Sequence, residues 1–316
     1  MKTQKMEQCF ARKTRIAVIG TGMVGSSFAY AAMIKGLAAE LILIDASDQR
    51  EEGEVMDLSH GLIGTETGNV MGGDFADCQD VDLVVITAGA AQKPGETRLD
   101  LVTKNVKILK DIIKKMGKLR PDTVVVIVSN PVDILAYVAR ETIKLPNKNQ
   151  IFGTGTSLDT SRLRYNISQA LKVNLHNVHG FVLGEHGDSE FVAWSLVNVS
   201  GVPAKKLLSA TQMKQIEEKT KRAAYEIIQR KQATYYGIGV VIAEIAEAVL
   251  HDKKMILPVS TVPGSAYGIN DISVGVPAVI GRKGIEKIWP VPLSLSEKLK
   301  LKKSASLLKA ILKGLK

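Results

Sequence analysis

Six residues limit this chain more than any others. Gly20-Thr21-Gly22-Met23-Val24-Gly25 has the spacing G-x-G-x-x-G and closes the apolar run RIAVIG at 15–20. The small-residue stretch SSFAYAAMIKG at 26–36 follows and reads as a helix stopping at Gly36. Strand, glycine turn and helix in that order suit a pyrophosphate. Gly20 permits the tight turn, Gly22 lets backbone approach the phosphates, and Gly25 lets the helix pack on the strand. The helix start, with Met23 and Val24, offers free N–H groups and the positive end of a dipole. A bare pattern of this kind also occurs in ordinary turns, so its context matters. The next strand, ELILIDA at 40–46, carries Asp45, twenty residues beyond Gly25. A carboxylate there accepts hydrogen bonds from both ribose hydroxyls and repels a 2′-phosphate, which favours NAD over NADP. The alternative for Asp45 is a turn-capping aspartate.

The first half continues in the same alternation. DQREEGEVMDLSHG at 48–61 and residues 99–116 read as helices, and VDLVVITAG (81–89) and DTVVVIVSNP (122–131) as buried strands. Continuous Val/Ile/Leu runs between helices predict a parallel sheet covered on both faces. After about residue 152 the pattern changes. Helices are expected over 157–173 and, unbroken, over 211–252. NVHGFVLG (177–184) and EFVAWSLVNVSG (190–201) look β-like, and MILPVSTV (255–262) and VGVPAVIG (274–281) look like antiparallel strands. The expected architecture is therefore α/β: a Rossmann, doubly wound parallel sheet over 1–152, then an α+β substrate domain over 153–316. With no low-complexity linker between them, the two should share a broad interface.

Size and composition fit that reading. At 316 residues the chain has room for two domains, and 45% hydrophobic with 23% charged residues is the balance of a packed globular protein. Two cysteines without a CxxC pattern argue against a disulfide scaffold or cysteine zinc site and point to the reducing cytoplasm. The polar start MKTQKMEQCFARKTR is not expected to be a signal peptide, and no apolar run is long enough for a membrane span. The net charge of +10 invites a nucleic-acid or membrane reading. However, the last twenty residues hold seven lysines and one glutamate, so most of the excess lies in an amphipathic tail. That tail is expected to pack its apolar side on the body and solvate its lysines, with neither nucleic acid nor membrane as partner.

The chemistry is expected in the second half. Gly184-Glu185-His186-Gly187-Asp188 sets a histidine between glycines just past a β-like run, and histidine suits proton transfer near neutral pH. The spacing of His176, His179 and His186 matches no common zinc pattern, so no metal is expected. On the helix at 157–173, Asp159 and Arg162 are three apart and share a face. They form either an internal salt bridge or a working pair, the acid behind His186 and the guanidinium on a substrate carboxylate. Arg164 points away from that face.

GTGMVG, Asp45, AGAAQKPGETRLDL (88–101), VSNPVD (128–133), LDTSRLRY (158–165), GEHGD (184–188) and ATYYGIG (233–239) occur in one order. Together they resemble the lactate/malate dehydrogenase family, on the side of the bacterial L-lactate dehydrogenases, over nearly the whole chain. The resemblance implies NAD-dependent interconversion of pyruvate and L-lactate. His186 would give and take the carbonyl proton, Asp159 would orient it, and Arg162 would anchor the carboxylate. Arg98, in the loop 90–100, would close over the substrate and polarise the carbonyl. Asn130 would touch substrate and nicotinamide, and Thr234 would line the substrate pocket. Ala91 departs from the family, where a polar or basic residue is common. At Gln92, malate dehydrogenases of the family carry arginine, so a second substrate carboxylate would find no cation there. A malate or broader 2-hydroxy-acid dehydrogenase is the nearest rival, and a non-catalytic NAD-binding protein a more distant one. The resemblance further implies a homotetramer, and binding of fructose 1,6-bisphosphate across a subunit interface by Arg164 and His179.

Overall fold

The computed structural model describes residues 12–91 and 98–315, with the backbone alone at Arg98. In chain order the first half comprises β1 (Arg15–Ile19), α1 (Met23–Ile34), β2 (Glu40–Ile44), α2 (Asp48–His60), β3 (Asn69–Gly72), β4 (Leu83–Ile86), α3 (Arg98–Met116), β5 (Val124–Ile127), α4 (Val132–Thr142) and β6 (Ile151–Gly153). The second half opens with α5 (Ser157–Leu171). Five two-residue strands follow: β7 (Val178–His179), β8 (Val182–Leu183), β9 (Phe191–Val192), β10 (Asn198–Val199) and β11 (Val202–Pro203). The chain ends with α6 (Ala210–Lys231), α7 (Tyr236–Leu250), β12 (Met255–Thr261), β13 (Val274–Gly281), β14 (Gly284–Ile288) and α8 (Leu295–Lys313).

One nine-stranded sheet organises the molecule, in the order β14-β13-β12-β6-β5-β4-β1-β2-β3. The six strands from the first half run parallel in the order 3-2-1-4-5-6 and reverse direction of winding between β1 and β4. Ligands of such sheets bind in the crevice at that reversal, beyond the carboxyl ends of the strands. LVVI of β4 and VVVI of β5 are buried at every position, because helices cover both faces. The expected antiparallel strands are present as β12 and β13. They extend the same sheet, β12 joining β6 through Ser260 and Gly153.

Several boundaries move. Helix α1 begins at Met23, inside the glycine motif, with Gly22 as its N-cap. The stretch 211–252 is two helices, not one. α6 ends at Lys231, capped by Gln232 in the left-handed conformation (φ 72°), and α7 starts at Tyr236. The pieces differ in environment: α6 buries Ile216 and Thr220, whereas α7 buries most of one side against α1. β3, α4 and β6 complete the alternation where the sequence pattern left gaps.

Candidate active site

The glycine turn stands at the β1 end as expected. Gly20 has φ +96°, and a Cβ there would lie 2.6 Å from the Ala88 amide nitrogen. A Cβ on Gly25 would lie 1.9 Å from the Gly20 carbonyl oxygen, so this contact tolerates hydrogen alone. A Cβ on Gly22 would meet none of the described residues beyond its own helix and chain neighbours within 4 Å; it would stand in the open cleft. That cleft, about 810 Å³, is lined by Gly20, Gly22, Met23, Val24, Gly25 and Asp45, with Thr234 on the opposite wall. Asp45 Oδ2 accepts hydrogen bonds from the Thr21 N–H (2.7 Å) and hydroxyl (3.1 Å), and Oδ1 accepts from the Ser47 N–H (3.0 Å). Burial alone would raise its carboxyl. These donors and Arg50 overcome that and hold it below the ordinary value, hence ionised at neutral pH. Asp45 thus braces the turn and presents a fixed negative charge to the cleft. An extended dinucleotide fits such a cradle.

A second cavity, about 610 Å³, is lined by Asn130, Asp159, Arg162, His186, Glu190 and Lys221, among others. His186 Nδ1 lies 2.6 Å from Asp159 Oδ2, and Arg162 Nη1 donates to Asp159 Oδ1 at 2.8 Å. One buried carboxylate thus holds both partners: the internal salt bridge is present, and the same acid stands behind His186. A guanidinium has five N–H donors, and this pair engages one nitrogen. The Asp159 charge is the main reason the imidazole is pushed up to about 9, against the opposing effect of burial. For Asp159, burial pulls upward, and His186 and Arg162 bring its carboxyl below the usual range. The pair is poised as carboxylate and imidazolium at neutral pH.

The loop bearing His186 is fixed from several sides. Gly184 (φ +100°) exchanges both backbone hydrogen bonds with Gly275 of β13. The Glu185 N–H donates to Ser304 Oγ of α8 at 2.6 Å. The His186 N–H donates to Asp133 Oδ2 of α4 at 2.8 Å, and the Ser260 hydroxyl donates to the other Asp133 oxygen. Asp133 and Ser304 carry no role in the sequence reading, although Asp133 ends the VSNPVD motif. Asn105 of α3, 2% exposed, was also missed. Its Oδ1 accepts from the Ala90 N–H, and its Nδ2 donates to the carbonyls of Ala90 and Asn130. It thereby ties the chain after β4 to Asn130, which is exposed at the cavity and precedes Pro131 through a cis peptide. Buried polar residues that hold loops give no signal in one sequence beyond being polar in an apolar run.

Of the remaining candidates, Gln92 and the Arg98 side chain lie outside the described residues. The backbone of Arg98 opens α3. Thr234 lies in the break between α6 and α7 and lines the dinucleotide cleft. Arg164 Nη2 donates to the Gly180 carbonyl at 3.3 Å, beside the exposed His179, and its buried Nε has no hydrogen-bond partner among the described residues. Asp159, His186 and Glu190 place metal-ligand-type atoms within 4.8 Å of one another. Asp159 is already engaged by His186 and Arg162, and Lys221 lines the same cavity. The setting suits proton transfer.

Hydride chemistry needs a nicotinamide site and a proton-handling site side by side, and a chain built this way is an NAD-dependent dehydrogenase. It belongs to the lactate/malate dehydrogenase family. The family's NAD binding domain matches residues 14–153 and its alpha/beta C-terminal domain residues 156–316. An L-lactate dehydrogenase of Clostridium botulinum is 44% identical over 303 residues, spanning 94% of this chain and 95% of that protein. The L-lactate dehydrogenase 2 of Enterococcus faecalis is 46% identical over 308 residues, 95% and 97% of the two chains. Among solved structures, the minor L-lactate dehydrogenase of Enterococcus mundtii superposes with a TM-score of 0.92 at 42% identity, covering 96% of this chain and 98% of that one.

Proposed function

We propose that the protein is an NAD-dependent L-lactate dehydrogenase in which His186 is the proton donor to pyruvate and the acceptor from L-lactate. The observation that carries this is the buried Asp159 holding His186 on one oxygen and Arg162 on the other. Bound NADH supplies the hydride. Arg162 anchors the substrate carboxylate, Asn130 hydrogen-bonds the substrate, and Asp159 fixes the imidazole tautomer and stabilises the imidazolium. Gly20, Gly22, Gly25, Met23 and Val24 cradle the pyrophosphate, and Asp45 takes the ribose hydroxyls. Arg98 polarises the carbonyl, Thr234 borders the substrate, and Gln92 favours pyruvate over a dicarboxylate. The test is His186→Ala: NADH binding, read by fluorescence titration, persists while kcat/KM for pyruvate falls about 10³-fold. Undiminished turnover would sink the assignment.

The same reading extends to assembly and control. Met23, Tyr30 and Ile34 of α1 and Tyr236 and Val240 of α7 are large, exposed and border a groove of about 650 Å³, which supports burial of this face in a homotetramer. A monomer mass by light scattering at working concentration would contradict it. Arg164 and His179, with their symmetry mates, bind fructose 1,6-bisphosphate, relieving cation repulsion across the interface. The Arg164 Nε without a partner among the described residues supports this. Fructose 1,6-bisphosphate lowers the apparent KM for pyruvate in the parent and not in Arg164→Gln; an unresponsive parent ends the proposal. The enzyme works in the cytoplasm, where its thiols stay reduced; no described helix is long and apolar enough to cross a membrane.

A further inference from the structure

Glu190 is an unexpected neighbour for a His–Asp pair. It is 5% exposed, it lines the His186 cavity, and its carboxyl lies within 4.8 Å of ligand atoms of both His186 and Asp159. Its backbone N–H closes a turn on the Gly187 carbonyl, so the side chain is carried by the same short loop as the histidine. No hydrogen bond to the carboxyl itself is found among the described residues. A buried carboxyl with no hydrogen bond among the described residues, beside a group that must gain and lose a proton, is placed to act on that proton.

We propose that Glu190 is a positioning residue for proton transfer, a second acid whose charge governs how firmly His186 keeps its proton. This rests on the role of His186 given above. The groups facing it come from every neighbouring element: Asp159 and Arg162 on α5, Lys221 on α6, and His186 on its own loop. Asp133 of α4 faces His186 from behind, and Asp188, Glu218 and Arg222 stand at the cavity wall. Burial, then the Asp159 charge, push the Glu190 carboxyl up to about 8, while His186, Arg162 and Lys221 pull the other way. Glu190 is therefore held toward its neutral form near neutrality and ionises toward the alkaline range, beside the imidazole. The new charge then holds the imidazolium into the alkaline range. Pyruvate reduction needs the protonated imidazole, so Glu190 extends reduction toward higher pH.

The sign fixes the experiment. In Glu190→Gln no anion forms, so His186 loses its proton at lower pH. The alkaline limb of kcat/KM for pyruvate then moves down by at least about half a pH unit. The acid limb of kcat/KM for L-lactate, which reports the neutral imidazole, moves the same way. Glu190→Asp keeps the charge on a shorter stem and moves the limb in the same direction by less; it decides alone if the Gln variant does not fold. Loss of rate at every pH with the limb in place would mean a purely structural residue and overturns the proposal, as does a limb shifted upward. A parent enzyme with no alkaline limb at all would instead remove the basis for His186 as the donor.

Discussion

At the scale of single residues, the site is a set of buried carboxylates around one imidazole. Asp159 holds the ring and Asp133 holds the backbone of the same histidine. Asp133→Ala frees the loop and is expected to lower kcat about 100-fold with NADH affinity unchanged, since a displacement of about 1 Å is enough for that loss. Asp133→Asn keeps an acceptor for the His186 N–H and restores most of the rate; equal losses in both variants would deny the hydrogen bond this role. The pH dependence follows from His186, raised to about 9 by Asp159. Pyruvate reduction is expected to hold steady through neutrality and fall as pH passes about 9, read from initial rates. Gln92→Arg is expected to shift the ratio of kcat/KM toward oxaloacetate by at least about 30-fold, a cation for the second carboxylate being the missing group. An unchanged ratio would mean that Gln92 does not read the substrate.

At the scale of elements, the β1–α1 turn contrasts two glycines. Gly25→Ala drives a methyl into the Gly20 carbonyl and is expected to cost about 2–3 kcal/mol of stability. Gly22 has φ −67° and open space where a Cβ would stand, so Gly22→Ala should change stability by less than about 0.5 kcal/mol. It is expected to weaken NADH binding all the same, because the methyl stands where phosphates approach. Denaturant melts and NADH titrations separate the two effects. This turn was legible because its chemistry is local: strand, glycines, helix and Asp45 lie within one βαβ unit. The antiparallel pair β12–β13 was legible too, from two apolar runs with turn residues between them. The break between α6 and α7 was not. No glycine or proline marks Lys231–Tyr235, where Gln232 adopts the left-handed conformation and α7 goes on to pack against α1. Gly239 shows the tightness of that packing: a Cβ there would lie 2.9 Å from Ser27. The supports Ser304, Asn105 and Ser260 were hidden for a similar reason, each being separated from its partner by at least fifteen residues.

At the scale of the whole molecule, Asp82 joins distant parts of the chain. Its side chain, 5% exposed, takes the Arg15 N–H and ion pairs from Arg12, Arg120 and Arg282, the last reaching back from the β13–β14 turn. Asp82→Ala is expected to cost about 2 kcal/mol, less than a fully buried pair because the arginines reach solvent. A chemical melt reads the loss; no change would make the cluster decorative. The sheet carries the larger consequence. The family models divide at residues 153 and 156, yet hydrogen bonds run on from β6 to β12, and one apolar cluster takes Ile16 and Leu83 together with Val241, Val259 and Ala278. Evolution's unit of sequence and this protein's unit of cooperation thus differ. Severed at that boundary, residues 156–316 would carry a raw strand edge and half of a core, a template for clumping rather than a module. A swap of the two halves with a relative would have to rebuild the seam where β6 meets β12.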